Sequence, residues 1–99
     1  MENKNVNHPT HYNIAGRKEC IVEMRERYGA YITAIFCLTN AYKYLYRAGE
    51  KDGNPEEQDK SKAAWYYNYA KNLTEDGACL TLKAYELYCD IKEEIENAD

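Results

Sequence analysis

The sequence predicts an all-α fold: a small bundle of three to four helices behind an irregular amino-terminal arm. Three observations carry this. Apolar residues recur with a helical period in successive segments. Gly29, the stretch from Gly49 to Pro55, and Gly77 separate those segments. No segment alternates polar and apolar residues as a half-buried strand does. The chain has 99 residues, enough for one domain spanning residues 1–99. It divides into the arm (1–16), a helical core (17–73) and an additional carboxy-terminal helix (74–99). A chain this short buries only a modest core, so a homo-oligomer is expected.

The arm is polar and contains Pro9 and Gly16. The first helix is predicted from Arg17 to Tyr28, with Cys20, Ile21 and Met24 on one stripe and Gly29 as its stop. The second is predicted from Ala30 to Ala48. Its apolar stripe comprises Tyr31, Ala34, Ile35, Leu38, Ala41, Tyr42 and Leu45, and Gly49 closes it. The third starts between Pro55 and Asp59 and ends near Asn72. Ala63, Tyr66 or Tyr67, and Ala70 supply its inner face. Thr74 is placed as the cap of a fourth helix, with Glu75 and Asp76 in its first turn. Leu80, Ala84, Leu87, Ile91 and Ile95 form that helix's stripe.

Composition narrows the function. Hydrophobic residues are 44% and charged residues 30%, a globular mix. No apolar run reaches the roughly 18–20 residues of a membrane span. The first residues lack an apolar signal core, so secretion is not expected and a cytoplasmic location is. A net charge of −4 argues against general nucleic-acid binding. The charge is uneven. Residues 1–53 hold 8 Lys/Arg and 6 Asp/Glu, whereas residues 54–99 hold 5 and 11. Cys20, Cys37, Cys79 and Cys89 lack metal-ligand spacing and read as reduced thiols packed mostly as small hydrophobes. Tyrosine is 11 residues against one Phe and one Trp. Buried hydroxyls need partners, so some of these rings belong at an interface or around a ligand.

The candidate site starts on the second helix. Asn40, Lys43, Tyr44 and Arg47 follow at i, i+3, i+4 and i+7, so they share one face. No acid lies between Asn40 and Arg47, whereas ordinary exposed helices mix both signs. Lys51 follows in the next loop. Arg offers a planar fork and Lys a point charge to a phosphate or carboxylate. Phe36 and Tyr44 flank this region and are placed to stack on a base. In the arm, His11 and Tyr12 follow Pro9 and are expected to fold onto the ligand. On the third helix Asp59, Lys62 and Tyr66 share a face, with Asp59 suited to a ribose hydroxyl or to orienting Arg47 or Lys62. Trp65, Tyr66, Tyr67 and Tyr69 surround one short stretch, so some of them are expected to meet a partner subunit or a ligand. Phosphate-loop, dinucleotide and metalloprotease motifs are absent. No catalytic set, metal site or cofactor is expected.

Several blocks resemble a known family. They are His8-Pro9-Thr10-His11-Tyr12, Glu19-Cys20-Ile21, Asn40-Ala41-Tyr42-Lys43-Tyr44-Leu45-Tyr46-Arg47-Ala48-Gly49-Glu50-Lys51, and Lys62-Ala63-Ala64-Trp65-Tyr66. In this order they are similar to a small tailed-phage family that goes under the name phage nucleotide kinase. The resemblance covers roughly residues 8–70. It implies a phage origin and a nucleotide-related ligand, with His11, Tyr12, Asn40, Lys43, Arg47, Lys51, Asp59 and Lys62 at matching polar positions. The chain has Thr39 where the family has Gly, Lys18 for Ile and Lys60 for Leu. Thr39 is expected to narrow a close backbone contact.

The leading expectation is a binding module, a counter-defence sponge sequestering a host immune nucleotide signal such as a cyclic nucleotide or ADP-ribose derivative. One alternative is a deoxynucleoside monophosphate kinase, with Lys43, Arg47 and Lys51 neutralising the transferred phosphoryl group. A second is a protein–protein inhibitor of a host enzyme, with tyrosines at the interface.

Overall fold

The computed structural model describes residues 19–50 and 55–97. The predicted arm, with His11 and Tyr12, and the loop residue Lys51 lie outside them. The described residues form four helices and no strand: α1 (Cys20–Tyr28), α2 (Ala30–Arg47), α3 (Glu56–Leu73) and α4 (Leu82–Glu96). None of these is long and apolar enough to cross a membrane.

Gly29 ends α1 and begins α2. Its φ of 94° is one that L side chains rarely adopt, which is why glycine separates two helices with no intervening loop. α1 begins at Cys20 rather than Arg17, because Glu19 is already extended, with φ −55° and ψ 144°. Gly49, with φ 78°, follows the end of α2. α3 starts directly after Pro55, and its first turn carries Glu56, Glu57 and Asp59, favourable at the positive end of the helix dipole.

α2 and α3 form the central pair. Arg47, at the end of α2, meets Asp59, near the start of α3, so the two run antiparallel. Ala34 and Ala41 on α2 and Ala63 and Ala70 on α3 are all completely buried. Each pair is seven residues apart, two turns on one face, and methyl side chains let the backbones approach closely. Thr33, Cys37 and Leu38 fill the rest of the α2 side. Ile21 docks α1 onto this core.

Several sequence expectations change here. Tyr31 and Tyr42 are 44% and 57% exposed, so they are not in the core. The buried stripe is centred on Ala34, Cys37, Leu38 and Ala41, and both tyrosines lie roughly a quarter turn to its side. The choice between Tyr66 and Tyr67 resolves to Tyr67, which is buried, while Tyr66 is half-exposed. Only Cys37 among the four free thiols is buried, and Cys20 and Cys79 are exposed. Burial raises the Cys37 thiol to about 12, so it is packed and unreactive.

Thr74 does not cap the fourth helix. It closes α3, donating from Oγ1 to the Ala70 carbonyl at 2.8 Å and accepting from the Gly77 amide at 3.0 Å. Glu75, Asp76 and Gly77 all follow with positive φ, so they form a tight turn and not a helical one. α4 starts only at Leu82, after Thr81. Leu80 is therefore core but not helical. The largest buried residue of α4 is Tyr88, which its apolar stripe did not include.

Tyr67 and Tyr88 pack together with ring centroids 5.6 Å apart. Tyr67 donates its hydroxyl to Glu96, and Tyr88 donates to Asp76. Lys71 approaches Glu96 at 3.3 Å and Lys92 approaches Asp76 at 3.0 Å. Burial is the first cause raising both phenols, with the carboxylates adding to it, and Tyr67 moves to about 12. The hydrogen bond from Tyr88 holds Asp76 below its usual range, and that from Tyr67 does the same for Glu96, with the lysines assisting. This cluster fastens α4 and the 74–80 turn to α3.

Candidate functional site

The flank of α2 beside its buried stripe, where Tyr44 is partly buried against the core, meets the early turns of α3. Helical spacing alone puts Lys43, Tyr44 and Arg47 on this face, and antiparallel pairing brings Asp59, Lys62 and Tyr66 to it. The Tyr44 ring is the centre. Lys43 Nζ lies 4.5 Å from its centroid, Arg47 Cζ 4.9 Å and Lys62 Nζ 5.4 Å. Tyr66 stacks nearly parallel to it, with centroids 5.9 Å apart and planes 12° from parallel. The ring's negative face attracts each cation, by about 0.5–1 kcal/mol at an exposed site. That attraction is what allows like charges to gather around one side chain.

Counter-charge is scarce. Among the described residues, neither Lys43 nor Lys62 forms an ion pair. Asp59 is completely buried and accepts from Arg47 Nη2 at 3.5 Å. A buried carboxylate beside a guanidinium fixes the direction of the fork, so Asp59 is placed to orient Arg47. Arg47 Nε is itself buried and has no hydrogen-bond partner. Unsatisfied buried donors are rare in folded proteins, and this one belongs to a group whose outer face is open. Three cations with one paired carboxylate attract an oxyanion.

The other expected residues divide. Asn40 donates from Nδ2 to the Phe36 carbonyl at 2.9 Å, which turns its amide back along α2. Thr39 donates its hydroxyl to the Ile35 and Phe36 carbonyls and is exposed. The Tyr44 ring carries three cations and a parallel tyrosine. His11, Tyr12 and Lys51 lie outside the described residues. No group of three or more metal-ligating side chains occurs among the described residues.

The crowded aromatics of α3 are accommodated largely within the chain. Trp65 stacks on Tyr69 at 5.4 Å and meets Tyr66 edge-on at 5.1 Å. Tyr69 accepts from Arg25 Nη1 at 3.3 Å. Phe36 meets Tyr66 edge-on at 6.0 Å. Beside these rings is a groove of about 260 Å³, lined by Ile21 and Met24 of α1, Phe36 of α2, and Trp65 and Tyr66 of α3. Sequence reasoning missed it. Met24 and Phe36 were visible as apolar residues, but only the docking of α1 across α2 and α3 puts them on one cleft. Tyr66 is common to the groove and to the cationic face.

Fold and site together define a small helical protein with three cations gathered around one tyrosine ring. The chain belongs to a family described as proteins of unknown function (DUF3310), whose model matches residues 6–68, more than half of the chain. That span contains every residue of the cationic face and ends before Tyr88. No curated protein and no solved structure matches the chain.

Proposed function

We propose that this protein binds a nucleotide-derived ligand, with Lys43, Arg47 and Lys62 on its phosphate. The observation that carries the reading is the gathering of three cations around the Tyr44 ring with, among the described residues, a single carboxylate, Asp59, paired to them. The protein acts as a phage counter-defence sponge that sequesters a host immune nucleotide signal in the infected cell. Affinity and copy number, not turnover, are what such a role requires. It works as a homo-oligomer. In support, Tyr42 and Tyr46 stack on each other at 6.3 Å while remaining 57% and 79% exposed.

The test is to purify the protein from infected cells, denature it, and identify what is released. Stoichiometric unchanged nucleotide is the expected result. Turnover of dGMP or dTMP with ATP would overturn the sponge and establish the kinase. Arg47→Ala is a poor probe of the site, because it also removes a partner of buried Asp59. The double variant Lys43→Gln/Lys62→Gln is cleaner and should lose binding at least tenfold while keeping its helix content. Unchanged affinity in that variant would remove the face from consideration.

A further inference from the structure

We infer that the groove beside the cationic face is a subsite for one heteroaromatic base, so that the ligand presents a planar ring one sugar away from a phosphate. The groove's role rests on the cationic face holding that phosphate.

Three features support this occupant. First, the walls suit a flat ring. Phe36 and Trp65 both meet Tyr66 edge-on, with interplanar angles of 83° and 86°, so the aromatic lining turns corners and does not form one stack. Ile21 and Met24 add aliphatic and thioether surface, and Glu19 and Cys20 complete the lining; methionine adapts readily to aromatic ligands. Second, the size is small. About 260 Å³ is below the roughly 300–1,000 Å³ of pockets that enclose a drug-sized molecule. It suits one base with part of its sugar, not two bases side by side. Third, the groove is adjacent to charge. Tyr66 forms its wall and also stacks on Tyr44, whose ring carries Lys43, Arg47 and Lys62. An apolar cleft joined to an electropositive face is complementary to a molecule with one apolar end and one anionic end. Free phosphate would use only the cations, and an uncharged aromatic would use only the groove.

The assignment has a built-in reporter, because Trp65 is the only tryptophan of the chain and it lines the groove. Binding is measured by calorimetry and Trp65 fluorescence is followed in parallel, using the 5′-monophosphates of adenosine, guanosine, cytidine and thymidine, and ribose 5-phosphate. At least one nucleotide should bind tenfold or more tightly than ribose 5-phosphate and shift or quench Trp65. Ribose 5-phosphate should bind weakly and leave Trp65 unchanged. Cys20 also lines the groove and is exposed, so Cys20→Phe adds a ring there and should remove the nucleotide advantage while leaving ribose 5-phosphate affinity intact.

Equal affinity for ribose 5-phosphate and all four nucleotides, with Trp65 silent, would overturn the base subsite and leave the cationic face standing. Trp65 responding to protein concentration instead of nucleotide would also overturn it, by showing that a second copy of the chain fills the groove. If no phosphate-bearing probe binds at all, the cationic face fails too. The wild-type comparison alone decides between these results should Cys20→Phe not fold.

Discussion

The molecule contains two tyrosine pairs flanked by lysines, and their charges are treated in opposite ways. Around Tyr67 and Tyr88, Lys71 and Lys92 are each matched by a carboxylate, Glu96 and Asp76, and each phenol donates to one of those same carboxylates. Around Tyr44 and Tyr66, three cations share one paired carboxylate among the described residues, and Arg47 Nε is left without a hydrogen-bond partner. The first arrangement is closed: rings buried, hydroxyls satisfied, charges balanced, nothing left to recruit. The second is open: its cations outnumber the acids paired with them among the described residues. Residue types are nearly the same in the two places, so tyrosine and lysine content alone does not distinguish a fastening from a binding face. The placement of acids does.

The largest expected effect tests the closed pair. Tyr67→Ala or Tyr88→Ala should cost about 3–5 kcal/mol, since each removes a large side chain buried to within 1% exposure. Gly77→Ala should cost about 2–4 kcal/mol. A Cβ there meets the Tyr88 ring at 2.7 Å, at a backbone φ of 87° that disfavours alanine. Tyr44→Ala, on the half-exposed pair, should cost distinctly less than either tyrosine variant. Chemical denaturation of these variants checks the ordering. A loss at Tyr44 equal to that at Tyr88 would show that the open pair is structural as well.

This contrast also explains which parts could be read from sequence. The bounds of α2 and α3 fall within a residue or two of those expected, because Gly29, Gly49 and Pro55 are unambiguous punctuation and both helices keep a long apolar period. Lys43, Tyr44 and Arg47 were legible because a helix fixes the relative directions of residues on its own surface. Lys62 and Tyr66 joined them only through antiparallel pairing, which spacing along one helix does not encode. The closed pair was not legible. It depends on a turn of three positive-φ residues, two of which, Glu75 and Asp76, read equally well as the acidic first turn of a helix. Tyr31 and Tyr42 were misplaced for a related reason. Periodicity marks an apolar side, but the reach of neighbouring helices decides how much of that side is covered.

The pH dependence sharpens the same comparison, since resolved shifts concentrate in the closed pair. Asp76 and Glu96 are held below their ordinary values of 3.8 and 4.5 by the tyrosine hydroxyls and then the lysines. A depressed folded-state value means stability that is present above the unfolded value and lost as pH falls through the folded one. Stability should therefore decline as pH drops below about 4.5, and Asp76→Asn/Glu96→Gln should flatten that decline. At the alkaline end the sign reverses. Tyr67 is raised from 10.0 to about 12, so its contribution is complete below pH 10 and lost as pH rises through about 12. Denaturation midpoints measured across pH give both limbs. An acid limb as steep in the double variant as in the wild type would show that other carboxylates carry it.

The smallest effect concerns the open pair and is the most diagnostic of its purpose. Lys43 and Lys62 are held near Tyr44 by weak ring attraction and repelled by each other and by Arg47, so their net contribution to stability should be close to zero. Lys43→Gln and Lys62→Gln should each change stability by no more than about 0.5 kcal/mol, in the range of surface charge changes. At low ionic strength the change should be stabilising, because a like charge is removed. Added salt should then stabilise the wild type more than the variants, since screening relieves the same repulsion. Melting temperatures in low and high salt measure this directly. A loss above 1 kcal/mol at either lysine would mean that the cations help hold the fold together, as at Tyr67 and Tyr88, and the case for an anion site would weaken. A small stabilisation, combined with lost nucleotide binding, is the pattern of residues retained for function at the expense of the folded state.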